Sequence, residues 1–190
     1  MHIIRLLAIY ISAETSMKAK GKLSYDCVLS IDPSINACGW AIHKIKNKKL
    51  VDYGLISPKK ETTKTEKLSS YLDKARYVMN RIHNLMDDAT GEYGIVQLVT
   101  EVPAHFGVAG YLARESGSIY KLTFVCGMIA ALDDNVICYE PQMWKGQLKK
   151  NVCHNRLNKR YESQNIVITD LNHNVADAIG IGYYYLNGRV

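Results

Sequence analysis

The chain has 190 residues, a length that fits one domain and buries a core without help from disulfides or a structural metal. Its composition, 47% hydrophobic and 22% charged, excludes general disorder, and no internal repeat or low-complexity stretch stands out. Twenty-four Lys and Arg against eighteen Asp and Glu give a formal charge of +6, which favours a polyanionic partner because each neutralised phosphate releases counterions.

Residues 1–22 read as an extension, and residues 23–190 as the folded domain. The apolar run Ile3 to Ile11 is interrupted by Arg5 and is too short to span a bilayer. Its basic residues follow the apolar run instead of preceding it, so a docking or disordered extension, or a true start at Met17, suits it better than a leader. No membrane partner is expected. Five cysteines, odd in number and without a C-x-x-C pair, fit a reducing compartment, the cytoplasm or another.

Tyr25 to Ile31 is β-prone and ends at Asp32-Pro33, where proline stops further pairing. Trp40 to Ile45 and Leu50 to Ile56 flank the basic turn Lys46-Asn47-Lys48-Lys49 and predict a hairpin. From Thr65 to about Met86, apolar residues recur at the helical period. Ile95 to Thr100 predicts a fourth strand with Glu101 at its end, Ala113 to Leu132 a helix rich in small residues, and Val136 to Tyr139 a fifth strand. Pro141 suits the first turn of a helix through Lys150, followed by a polar helix or loop to Tyr161, and Asn172 is placed to cap a helix from about His173 to Leu186. The order predicts an α/β fold with a central mixed five-stranded sheet flanked by helices.

Asp32 and Glu101 both end strands, and Asp177 lies early in the last helix, in the mostly apolar run Val175 to Gly182. Singly, an Asp before Pro is usually a turn residue and a Glu after a strand usually faces solvent. An unpaired charge in the setting of Asp177, however, costs several kcal/mol. If the first and fourth strands are neighbours, the three acids converge, and several carboxylates in one place stay ionised together only with cations. A hard divalent ion is the expected cofactor, Mg²⁺ or Mn²⁺, and such a site suits phosphodiester hydrolysis with two ions roughly 3.5–4 Å apart, Asp32 bridging them.

Ile31-Asp32-Pro33-Ser34 with Gly39-Trp40 downstream, Thr100-Glu101-Val102, and Ala176-Asp177-Ala178-Ile179-Gly180 together resemble, in order and context, the motifs of the RuvC family of Holliday junction resolvases. The resemblance spans Tyr25 to Gly188, with Tyr139 to Lys145 in the expected place after the fifth strand. It implies an RNase H-like fold and a homodimer that binds four-way DNA junctions. It also implies symmetric nicks with 5′-phosphate and 3′-hydroxyl ends, and a magnesium or manganese cofactor.

Two positions depart from the pattern. Ser34 replaces the usual glycine after Asp-Pro, and Asn174 stands where the family carries a fourth metal-site Asp or His. An amide oxygen ligates without charge, so the second ion is expected to bind more weakly unless His173, four residues before Asp177, substitutes.

Between Pro141 and Tyr161 the chain carries Lys145, Lys149, Lys150, Arg156, Lys159 and Arg160 with no acid after Glu140, the leading candidate for phosphate binding; a solvated helix face is the plainer reading. After Glu101, a loop holds Phe106, Tyr111 and Arg114. The resemblance gives an aromatic there the part of stacking on bases at a branch point, with Phe106 first and Tyr111 in reserve. His105, Cys153 and His154 lack companions at zinc-ligand spacing, and there is no Walker loop. Two other functions compete: a junction-binding protein with a weakened metal site, and an ATPase of the actin and sugar-kinase superfamily, which normally needs two such domains. A viral or phage source is one reading of the small size and atypical first motif.

Overall fold

The computed structural model describes residues 24–58, 71–103, 115 and 118–189. The extension 1–22, Phe106, Tyr111 and Arg114 lie outside the described residues. Among those described, the strands are β1 (Cys27–Asp32), β2 (Cys38–Lys44), β3 (Lys49–Ile56), β4 (Val96–Glu101) and β5 (Ile137–Tyr139). The helices are α1 (Tyr71–Tyr93), α2 (Ser118–Ala130), α3 (Pro141–Trp144), α4 (Lys150–Tyr161) and α5 (His173–Asn187).

The strands form one sheet in the order β3-β2-β1-β4-β5. β1, β2 and β3 pair antiparallel, as the hairpin reading requires, whereas β4 lies parallel to β1 and β5 parallel to β4. The predicted mixed five-stranded sheet flanked by helices is therefore the observed one. Parallel pairing needs a crossover, and α1 supplies it between β3 and β4.

Side chains alternate across the sheet and divide the core. Leu29, Ile31 and Leu98 face Val78, Ile82 and Ile129 of α1 and α2. Val28 and Val99 face the other way, against Ala176, Ala178 and Ile179 of α5 and Trp144 and Leu157 of α3 and α4. The same alternation puts Asp32, two residues after Ser30 and four after Val28, and Glu101, two after Val99, on the α5 side. α5 lies unusually close to the sheet. Ser30 donates to the Ala178 carbonyl at 2.8 Å, and a Cβ at Gly182 would stand 2.6 Å from His43.

Three segments differ from the sequence reading. α1 continues past Met86 to Tyr93, because Ala89 is still buried, and ends at Gly94, whose φ of +96° suits glycine. The helix expected from Pro141 to Lys150 is a single turn, stopped by Gly146 at φ +61°. The stretch to Tyr161, left open as helix or loop, is regular helix that buries Cys153, His154, Leu157 and Tyr161 on one face. α5 starts at His173 as predicted, with the Asn172 side chain accepting from the Asn174 amide at 2.9 Å. All five cysteines are free thiols, and among the described residues no helix is long and apolar enough to cross a membrane.

Candidate active site

Asp32 and Glu101 end adjacent parallel strands, one step beyond the paired Ile31 and Thr100. α5 crosses the same side of the sheet and brings Asp177, only 5% exposed, to this edge. The three carboxylates interact: Glu101 and Asp177 both push Asp32 up, and Asp177 pushes Glu101 up. The three acids are thus close enough at this edge to act on one another electrostatically.

The acids differ sharply in compensation. Burial first, then the charges of Glu101 and Asp177, hold the Asp32 carboxyl well above the usual carboxylate range, against weaker opposition from Lys150 and Lys145. Among the described residues nothing donates a hydrogen bond to it. Glu101 is raised by burial and by Asp177. Lys145, the Trp144 hydrogen bond and Lys150 oppose that rise, with the indole Nε1–H donating to Oε2 at 2.7 Å. Lys145 rides over the indole, its Nζ 5.0 Å from the ring centre.

Asp177 moves the other way. Burial raises it, but hydrogen bonds from His154 and Lys150 and the charges of Lys150 and Lys145 outweigh that and leave it below its ordinary value. Its Oδ1 lies 2.7 Å from His154 Nε2 and its Oδ2 2.6 Å from Lys150 Nζ. An ionised carboxylate only accepts, so Nε2 carries the proton.

Asp32 tests whether the residues suit a divalent ion. It is a buried carboxylate with no donor among the described residues, beside two further acids, and an all-oxygen set of this kind matches hard cations such as Mg²⁺ or Mn²⁺. As the side chains stand, no three His, Cys, Asp or Glu among the described residues are closed around an ion position, and Lys150 sits against Asp177.

Asn174 and His173 fall at the start of α5. The Asn174 amide nitrogen donates to the Ala37 carbonyl and ties the helix to the chain entering β2. His173 is exposed, and the histidine on Asp177 is His154 from α4. The basic stretch divides. Lys145 and Lys150 turn to the carboxylates, Lys149 is exposed just ahead of α4, and Arg156, Lys159 and Arg160 line a cavity of about 400 Å³ with Arg189.

Sequence reasoning missed His154, Trp144 as a partner of Glu101, and the part of Gly39. A Cβ at Gly39 would stand 2.0 Å from the Asn174 carbonyl oxygen, so the glycine before Trp40 is where β2 admits the start of α5. The i, i+4 spacing of Cys153, Leu157 and Tyr161 was the available sign that His154 sits on a helix beside a buried face.

No protein-family model matches the chain, and no curated protein matches it in sequence. Solved structures do. Thermus thermophilus RuvC in complex with a Holliday junction substrate is 17% identical, covers 86% of this chain and 97% of its own, and superposes with a TM-score of 0.54. The yeast mitochondrial Holliday junction resolvase Ydc2 is 12% identical, covers 89% of this chain and 80% of its own, with a TM-score of 0.56. With its five-stranded sheet in this order and α5 laid across it, the chain carries the RNase H-like fold of the RuvC-type resolvases.

Proposed function

We propose that the chain is a metal-dependent endodeoxyribonuclease that cleaves branched DNA, four-way junctions foremost, working as a homodimer in a reducing, DNA-containing compartment. One observation carries this reading: acids from three separate elements meet at one sheet edge, where Asp32 is buried with no hydrogen-bond donor among the described residues. A structural carboxylate is normally paired, and an unpaired one beside two others is suited to a cation. The structures of similar fold that bear on the reading are resolvases, one of them holding a Holliday junction.

In this reading Asp32, Glu101 and Asp177 hold Mg²⁺ or Mn²⁺, two ions in the full site. The bound metal supplies an activated water and charge stabilisation at the phosphodiester, giving 5′-phosphate and 3′-hydroxyl ends. Trp144 fixes the Glu101 carboxylate through its indole N–H, and His154 fixes that of Asp177. Lys145 and Lys150 offset the negative charge of the acids where a phosphate must approach. Arg156, Lys159 and Arg160, on the exposed side of α4, grip the duplex arms away from the carboxylates. Phe106, Tyr111 and Arg114 complete the proposed DNA contacts from the loop after Glu101, residues 23–190 form the nuclease domain, and residues 1–22 are an extension to it.

The test is cleavage of four-way, flap and linear DNA in Mg²⁺ or Mn²⁺, with an EDTA arm and the D32N and D177N variants. Four-way DNA is expected to be nicked in opposed strands, EDTA to stop the reaction, and both variants to bind without cutting. Binding of junctions by the native chain with no nicking in either metal refutes the nuclease reading and leaves a junction-binding protein.

A further inference from the structure

Asp177 receives two partners of different character. His154 lies in α4 with Cys153, Leu157 and Tyr161 on the buried face, and its imidazole N–H meets Oδ1 at 2.7 Å. Its ring is held by packing and has little room to leave, its side chain being 11% exposed. Lys150, at the first residue of α4, reaches Oδ2 at 2.6 Å from a side chain that is 44% exposed. It is a flexible four-carbon stem with solvent on one side and can withdraw without disturbing the core.

From this asymmetry we propose that His154 is a positioning residue that holds Asp177 permanently, while Lys150 is an exchangeable cation on the same carboxylate, displaced from Oδ2 when a divalent ion binds and thereby released toward substrate phosphate. This rests on the metal-dependent reading above and deepens it. Three acids packed together without metal repel one another, and Lys150 offsets that repulsion at all three while touching only Asp177 among them. The ammonium and a divalent ion both seek Oδ2, and like charges do not share one oxygen at contact distance. Lys150 then stands where a phosphate brought to the carboxylates needs a positive charge. His154 donates a hydrogen bond from the other side and has no reason to move.

The test is direct titration of the DNA-free protein with Mn²⁺, read by electron paramagnetic resonance, alongside single-turnover cleavage. Lys150→Met keeps the length of the side chain and removes the charge. It is expected to bind Mn²⁺ at least about tenfold more tightly, the modest end of what a unit charge at contact produces near a protein surface, while cleaving more slowly than the native chain at saturating Mn²⁺. His154→Gln keeps an N–H at the reach of Nε2, so it is expected to recover Mn²⁺ affinity and cleavage that His154→Ala loses. Unchanged or weaker Mn²⁺ binding in Lys150→Met overturns the exchange, and a Gln variant no better than Ala overturns the positioning role. Absence of Mn²⁺ binding in every variant and in the native chain removes this inference together with the nuclease reading, whereas equal binding in all of them removes this inference alone.

Discussion

Gly39→Ala isolates the contact that sets the depth of α5. The added methyl would lie 2.0 Å from the Asn174 carbonyl oxygen, 2.3 Å from its carbon and 2.7 Å from the Val175 nitrogen. An ordinary carbon to oxygen contact is about 3.3 Å, so about 1.3 Å must open between β2 and the first turn of α5. The obstacle is backbone, with no side chain to turn aside. The rest of α5 is anchored by Ser30 on the Ala178 carbonyl and by Gly182 against His43, so the helix tilts at its start and carries Asp177 with it. Overpacking of this kind costs about 1–3 kcal/mol, or about 2–12 °C in melting temperature for a chain this long. A displacement near 1 Å at a reacting group costs about 100-fold in rate. The assay is single-turnover nicking of a four-way junction with Mg²⁺, beside thermal melting and junction binding. Gly91→Ala in α1 is the control, since nothing lies within 4 Å of its added methyl. Native cleavage and melting in Gly39→Ala would refute the account of how α5 is seated.

Further expectations concern charge and orientation. Asp32 has a raised carboxyl, so the folded state holds its proton more firmly than the unfolded chain, and metal-free stability is lost as pH rises from the ordinary value of 3.8 through the folded one. Asp32→Asn removes that loss and is expected to stabilise the metal-free protein at neutral pH by about 1–2 kcal/mol; melting in EDTA at pH 5 and 7.5 checks it, and an advantage no larger at pH 7.5 refutes it. Trp144→Phe deletes the N–H on Glu101 while keeping most of the ring, and is expected to lower cleavage by about 10- to 100-fold with the fold intact by circular dichroism. Alanine at Lys159 or Arg160 is expected to weaken junction binding and reduce the slope of log affinity against log salt by about 1 each, read by fluorescence anisotropy.

The strands, the helices and the three acids were legible because each rests on local chemistry. Period-two and helical spacing mark elements, Pro33 marks the end of β1, and Asn172 marks the start of α5, where its side chain caps the helix. The helix from Pro141 misled because its propensity gave no weight to Gly146, which takes a left-handed backbone. α4 was hard to place because its polar surface conceals the buried face that docks it.

Sequence by itself determined that acids stand at the ends of two strands and in an apolar helix, since a strand's end and a helix's pattern are set within a few residues. Only the tertiary structure decided which charges each acid keeps. His154 and Lys150 meet Asp177 from more than twenty residues away, Trp144 meets Glu101 across 43, and Asp32 is left without a donor among the described residues. Those partnerships follow from how deeply α5 sinks onto β1 and β2 and from where α4 docks beside it. That depth is a matter of backbone contact between distant segments, which no local pattern records.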